Sequence, residues 1–325
     1  MLSLLVGALA FSEKPFVIDQ HRITGMMIAV YTPMKEGNAL ELDLDRVSAY
    51  AKFLKARNIT NVMPAGSNGE SLSLSVPERK SLAEAWAKAG TAEGLNIYMH
   101  VGSESLVESV ELAQHAAATS GIKGILSMTP VYFKPTTETL LDFLAAIAAA
   151  APSLPFWFYH FPDDTGVMPG QAHKFLELAE STKKIPNLMG IKFTDYNLMD
   201  FALCTQVGGA GKYNMLYGRD EQAIAALLLG AEAAVSSTIG YSPTLRDAVS
   251  LWAAGQHADA KAAQERNAKL CSFFGQYESD AINVQKNIMK MVGMGVGPSR
   301  LPKRDMDATS AKSLEGQLRA LKLLD

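Results

Sequence analysis

From Gly25 onward, short apolar or β-branched runs alternate with longer stretches in which apolar residues recur at helical spacing. That alternation predicts repeated strand–helix units on a parallel sheet. The strand segments are GMMIAVYTP, NVMPAG, NIYMHVG, KGILSMTP, LPFWFYHFP, NLMGIKFT, YNMLYG and AAVSST, eight in all. Each leaves through Gly, Pro, Ser, Thr or Asp, residues that favour turns. Helical periods fall between them, over Asp43 to Arg57, Pro77 to Ala89, Ser105 to Thr119, Thr136 to Ala151 and Asp220 to Leu229. Eight such units close into a barrel more readily than they form an open sheet, and no GxGxxG follows the first strand as a dinucleotide fold requires.

The fold predicted is therefore α/β, a (β/α)8 TIM barrel over about 25–256, with additional C-terminal helices in 257–325. Those helices run from His257 to about Phe274, Asp280 to Met291 and Thr309 to Leu324, and are expected to pack on the barrel's side. The late glycines of GMGVGPSR read as a turn. Residues 1–24 read as an N-terminal extension. Its apolar run, Leu2 to Phe11, ends in Ala8, Leu9 and Ala10, which suits a signal-peptide cleavage site, yet it is short and no basic residue precedes it. The expected location is cytoplasmic.

Composition narrows the function classes. A 48% hydrophobic, 19% charged chain has ample apolar surface for a large core. Its net charge of -3 provides no basic field for nucleic acid or an acidic membrane surface, so neither is an expected partner. The two cysteines, Cys204 and Cys271, lie far apart without metal-ligand spacing and read as reduced. The six histidines are scattered, with no HxH and no HExxH, and no metal is expected.

In such a barrel the reactive groups gather at the carboxyl ends of the strands. Lys192 lies inside the apolar strand GIKF. Burial there lowers a lysine's pKa, and a neutral amine can attack a ketone to form a Schiff base. A snorkelling or carboxylate-paired lysine fits the same position. One strand earlier, Tyr159 could shuttle a proton or merely fill the barrel with a satisfied hydroxyl. His160 must face the opposite way from Tyr159, so a structural role is expected. The turn Gly66-Ser67-Asn68-Gly69-Glu70 offers backbone and side-chain donors to a carboxylate, with Glu70 expected to tie the loop down. His100 reads as a core residue or one supporting the site.

Taken together, these exits resemble the pyruvate-dependent lyases and synthases related to dihydrodipicolinate synthase. The likeness runs from about Gly25 to about Pro302: the GxxGE turn at Gly66–Glu70, a tyrosine before [N/H]-x-P at Tyr159–Pro162, and a lysine in GIKFTD at Lys192. SLSLSVPER, HVG, ELAQHAA, AAAAPSLPF, LYGRDEQ and GPSRLP bring it closest to the branch that cleaves N-acetylneuraminate, a sialic acid. The resemblance implies reversible retro-aldol cleavage of sialic acid to N-acetylmannosamine and pyruvate through a Schiff base on Lys192, without a cofactor. It implies that Tyr159 moves the proton, Ser67 relays it, and Asn68 and Thr194 hold the pyruvyl carboxylate. Gly218, Asp220, Glu221 and Ser237 match residues that bind the sugar chain. Tyr132 matches an aromatic that reaches a neighbouring subunit's site, implying a homotetramer.

Three positions depart from the pattern. Asn68 replaces the usual Thr, and Ser236 replaces a Gly, where crowding of a substrate contact is expected. Asp164 stands where the synthases carry Arg and the sialate lyases an apolar residue, which disfavours an aldehyde partner with a second carboxylate. An aldolase for a 2-keto-3-deoxy sugar acid and a catalytically silent keto-acid or sugar-binding relative are the alternative readings.

Overall fold

The computed structural model describes residues 18–277 and 279–324. The apolar run from Leu2 to Phe11 lies outside them. Eight strands form a closed parallel barrel: β1 (Gly25–Ala29), β2 (Asn61–Met63), β3 (Asn96–His100), β4 (Ile122–Met128), β5 (Phe156–His160), β6 (Leu188–Phe193), β7 (Leu216–Tyr217) and β8 (Ala233–Ser236). Each pairs with the next in sequence, and β8 returns to β1 with Gly25 opposite Ala233. The predicted strand order and closure therefore hold. The sequence pattern did not announce a small antiparallel hairpin, Met34–Lys35 with Asn38–Leu42, beside the barrel.

Alternation along the strands divides the core in two. Met27, Met63, Tyr98, Leu126, Trp157, Met189, Leu216 and Val235 fill the barrel interior. Phe158, Ile191 and Phe193 belong to the outer core, which includes buried residues of the surrounding helices. At the amino end, the Asn214 side-chain oxygen accepts from Trp157 Nε1 at 3.1 Å and from the Ile23 N–H at 3.0 Å. With the interior filled there, the opposite end is where a ligand can enter.

The C-terminal helices, His257–Cys271, Ala281–Met291 and Ala308–Ala320, pack on the barrel as expected, but the segment also reaches the barrel mouth. Arg300 joins it to the front of the molecule. Its guanidinium donates to the carbonyls of Ala39, Leu40 and Ser73 and binds Glu78. Glu78 also completes the capping box of Ser75 on helix Val76–Glu93, and the Arg300 guanidinium holds its carboxyl at about 2. Among the described residues no helix is long and apolar enough to cross a membrane.

Candidate active site at the carboxyl end of the barrel

A cavity of about 420 Å³ opens at the strand exits. Its inner wall contains Ala29, Ser67, Asn68, Tyr159, Lys192, Thr194, Gly218, Asp220, Glu221 and Ser237. Nine of the sequence-predicted positions thus meet in one space. Tyr132 does not join them. It is 79% exposed on the loop after β4, against Phe133, and borders a separate depression with Leu72, Arg79 and Glu104.

Tyr159 and Lys192 are partners in the β5–β6 register, so their side chains emerge side by side. Lys192 is 3% exposed, and its Nζ lies 3.4 Å from the centroid of the Tyr159 ring. Burial holds its pKa well below the ordinary lysine value; nearby Arg219 pushes the same way, against Asp220 and Asp164. The amine is thereby made available as a nucleophile. The Tyr159 hydroxyl bonds Ser67 Oγ at 2.9 Å, and burial raises its pKa.

The Ser67 turn is held from both sides. Thr32 Oγ1 donates to the Gly69 carbonyl at 2.6 Å, while Asn68 Nδ2 donates to the Ala29 carbonyl at 3.4 Å. Glu70 adopts a left-handed φ of 55°, a conformation that costs a non-glycine residue about 1–3 kcal/mol. Its buried carboxylate meets Lys286 Nζ at 2.6 Å and accepts the Arg300 N–H at 2.9 Å. Glu70 therefore ties the loop to the C-terminal segment.

Two residues behind Tyr159 stabilise the scaffold. His100 Nε2 accepts from the Met128 N–H at 3.1 Å, so Nδ1 is the end that donates to the Ala65 carbonyl at 2.8 Å. Burial and the Arg79 charge keep its pKa well below the ordinary histidine value. His160 points outward, between Phe158 and Phe193, with Nε2 3.6 Å from Asp195. His160, Asp195 and Asp200 stand close enough to share an ion. Their carboxylates instead accept backbone N–H groups of Gly170, Asn197, Ala172 and His173, the arrangement of a structural anchor.

Gly218 owes its identity to Thr194: a Cβ there would stand 2.1 Å from Thr194 Oγ1. Glycine lets β7 leave the barrel beside that buried hydroxyl. The following Asp220 accepts from Ser236 Oγ at 2.7 Å, the Ser237 N–H at 3.2 Å and the Thr238 N–H at 3.0 Å, all on Oδ2. Burial still raises it to about 6. The expected crowding by Ser236 does not arise, because its fully buried side chain turns to Asp220 and the Thr238 and Ile239 N–H groups. Glu221 accepts from the Tyr196 hydroxyl at 2.7 Å.

Apart from Asp164, the outer wall was absent from the sequence reading as a site. Phe161, Asp164, Tyr196 and Arg219 come from the barrel loops; Phe274, Asp280, Gln285 and Lys303 come from the C-terminal segment. Gln285 accepts from the Tyr31 and Tyr241 hydroxyls at 2.9 and 2.8 Å on one oxygen. Its NH2 remains as a donor on the cavity side. Of the residues that the sequence reading left out, Arg219 carried a local signal, being flanked by Gly218 and Asp220 in the strand exit YGRDE.

A parallel barrel with a buried amine, a phenol and convergent donors at its carboxyl end defines a site suited to carbonyl chemistry. Residues 22–321 match the dihydrodipicolinate synthetase family, and the chain belongs to it. It is 37% identical to N-acetylneuraminate lyase A of Xenopus laevis over 287 residues, covering 86% of this chain and 90% of that one. Identity to the N-acetylneuraminate lyase of Homo sapiens is 36% over 308 residues, 93% of this chain and 94% of the other. The structure of Proteus mirabilis N-acetylneuraminate lyase superposes with a TM-score of 0.85 at 30% identity, covering 93% of this chain and all of that one.

Proposed function

We propose that this protein cleaves N-acetylneuraminate reversibly to N-acetylmannosamine and pyruvate, as a class I aldolase. The observation that carries the reading is the buried Lys192 amine on the face of Tyr159, whose hydroxyl bonds Ser67. The names of the relatives support the substrate.

In this reading Lys192 attacks the 2-keto carbon of the open-chain sugar acid, and loss of water leaves an iminium. That cation lies over the negative face of the Tyr159 ring, which favours it. Tyr159 gives its phenol proton to the departing water, and the phenolate so formed takes the proton of the C4 hydroxyl as the C3–C4 bond breaks. The bond's electron pair enters the iminium to give an enamine, and the aldehyde departs. Protonation at C3 and hydrolysis then release pyruvate and restore the amine. Ser67 passes protons to and from Tyr159. Asn68 and Thr194 hold the carboxylate, and Gly218, Asp220, Glu221 and Ser237 receive the polyol, whose hydroxyls donate to the carboxylates.

The covalent partner is the lysine itself, so the chemistry requires neither metal nor cofactor. Tyr132 contributes to a neighbouring copy's site in a homotetramer, consistent with its 79% exposure. The enzyme acts in the cytoplasm as one barrel domain with its C-terminal helices. Initial rates on N-acetylneuraminate and on 2-keto-3-deoxygluconate test the assignment: the first substrate is cleaved faster, and the reverse order overturns it.

A further inference from the structure

Gln285 is 5% exposed, yet it reaches the cavity wall. Its amide oxygen accepts from two fully buried phenols, Tyr31 at 2.9 Å and Tyr241 at 2.8 Å. Burial raises the pKa of both, so each keeps the hydrogen it donates. Turned over, the amide would set its NH2 against the phenols and remove the acceptor that each now uses, a loss that buried hydroxyls cannot make up from water. The oxygen therefore faces the phenols and the NH2 faces the cavity, where no described residue accepts from it.

Two further contacts fix where that donor stands. The Tyr31 hydroxyl lies 3.3 Å from the Ser237 carbonyl oxygen, which seats the amide beside the exit of β8, among the residues that receive the polyol in the reading above. Lys286, the next residue along the helix, is buried against Glu70 of the Ser67 turn at 2.6 Å and holds helix Ala281–Met291 at a set distance from the catalytic centre. An amide clamped at its oxygen by buried groups loses little freedom when its NH2 is bound, so the donor is preorganised. When ionised, Asp220 and Glu221 offer the sugar chain acceptors alone; a hydroxyl or acyl oxygen of that chain needs a donor, and Gln285 supplies one.

We propose that Gln285 is a substrate-binding residue whose NH2 donates to an oxygen of the sugar chain, and that Tyr31 and Tyr241 are positioning residues that hold it as a donor. This inference rests on the aldolase reading above.

The test compares wild type with Gln285→Leu, Gln285→Glu, Tyr241→Phe and the double variant Tyr241→Phe/Gln285→Leu. The readout is the KM for N-acetylneuraminate divided by the pyruvate concentration that half-saturates borohydride inactivation, a ratio taken within each variant, which cancels any loss of folded enzyme. Gln285→Leu is expected to raise it about three- to tenfold, as loss of one neutral hydrogen bond provides. Gln285→Glu keeps the shape and the acceptor for both phenols but has no hydrogen to give, and raises it at least as much. Tyr241→Phe raises the ratio when Gln285 is present and leaves it unchanged in the Gln285→Leu background. Ratios within twofold of wild type in both Gln285 variants overturn the binding role, and an equal effect of Tyr241→Phe with and without Gln285 overturns the positioning role. Wild type separates the levels: inactivation by pyruvate together with cleavage of N-acetylneuraminate leaves the aldolase reading standing whatever the variants show, whereas absence of either refutes that reading and this inference with it.

Discussion

The Nζ of Lys192 rests 3.4 Å from the centroid of the Tyr159 ring, and the two residues are register partners on neighbouring strands. The amine thus exchanges water for an aromatic face. Burial lowers its pKa, so between the folded and unfolded values the unfolded chain binds more protons and stability rises with pH. Lys192→Met removes that cost. We expect thermal melts to show the variant inactive but a few degrees more stable near neutral pH, with the gain shrinking as pH approaches about 10, where the unfolded lysine also loses its proton.

Asp220 reports on pH from the opposite direction. Its folded pKa of about 6 exceeds the ordinary 3.8, so its stabilising contribution is full below the latter and is lost as pH rises through about 6. For function the sign reverses, because the ionised carboxylate is the better acceptor for a polyol. The KM for N-acetylneuraminate should therefore rise as pH falls below about 6. Ser236→Gly removes the 2.7 Å donor to Asp220 and should start that rise at higher pH. Superimposable KM profiles for the two enzymes contradict this role for Ser236.

Gly218→Ala places a methyl group 2.1 Å from Thr194 Oγ1. Overpacking of this kind costs about 1–3 kcal/mol. Denaturant titration should reveal that loss, and pairing the change with Thr194→Ala should recover part of it. The double variant retains the weaker carboxylate grip that loss of the Thr194 hydroxyl entails, so its KM for pyruvate stays high.

The Glu70–Lys286 pair joins the Ser67 turn to helix Ala281–Met291. Lys286→Met leaves a buried carboxylate without its cation, a loss worth about 3–5 kcal/mol. The double variant Glu70→Gln/Lys286→Met should regain much of the stability in chemical denaturation. If Lys286→Met alone unfolds at the wild-type denaturant concentration, the pair does not hold the turn.

Strand order and the inner half of the site were legible because both depend on local pattern. An apolar strand interrupted by Lys192, the Gly66–Glu70 turn and the YGRDE exit mark themselves within a few residues. The outer wall was not legible in that way. Gln285, Asp280 and Lys303 line one cavity with Asp164 only because the C-terminal segment returns to the barrel mouth, more than a hundred residues along the chain. Ser236 shows the same limit at short range: its sequence position suggested crowding, whereas its hydroxyl turns to Asp220, a residue sixteen positions earlier. Tyr132 was legible as a candidate through resemblance alone, and its own chain leaves it at the surface.

The central claim is a covalent one, and borohydride reduction followed by peptide mass spectrometry tests it directly. Wild type and Lys192→Ala are each incubated with pyruvate and, separately, with N-acetylneuraminate. The account predicts the same pyruvyl adduct on Lys192 from both compounds in wild type, and none in the variant. An adduct from pyruvate but not from N-acetylneuraminate contradicts the substrate assignment, and no adduct on Lys192 from either contradicts the mechanism.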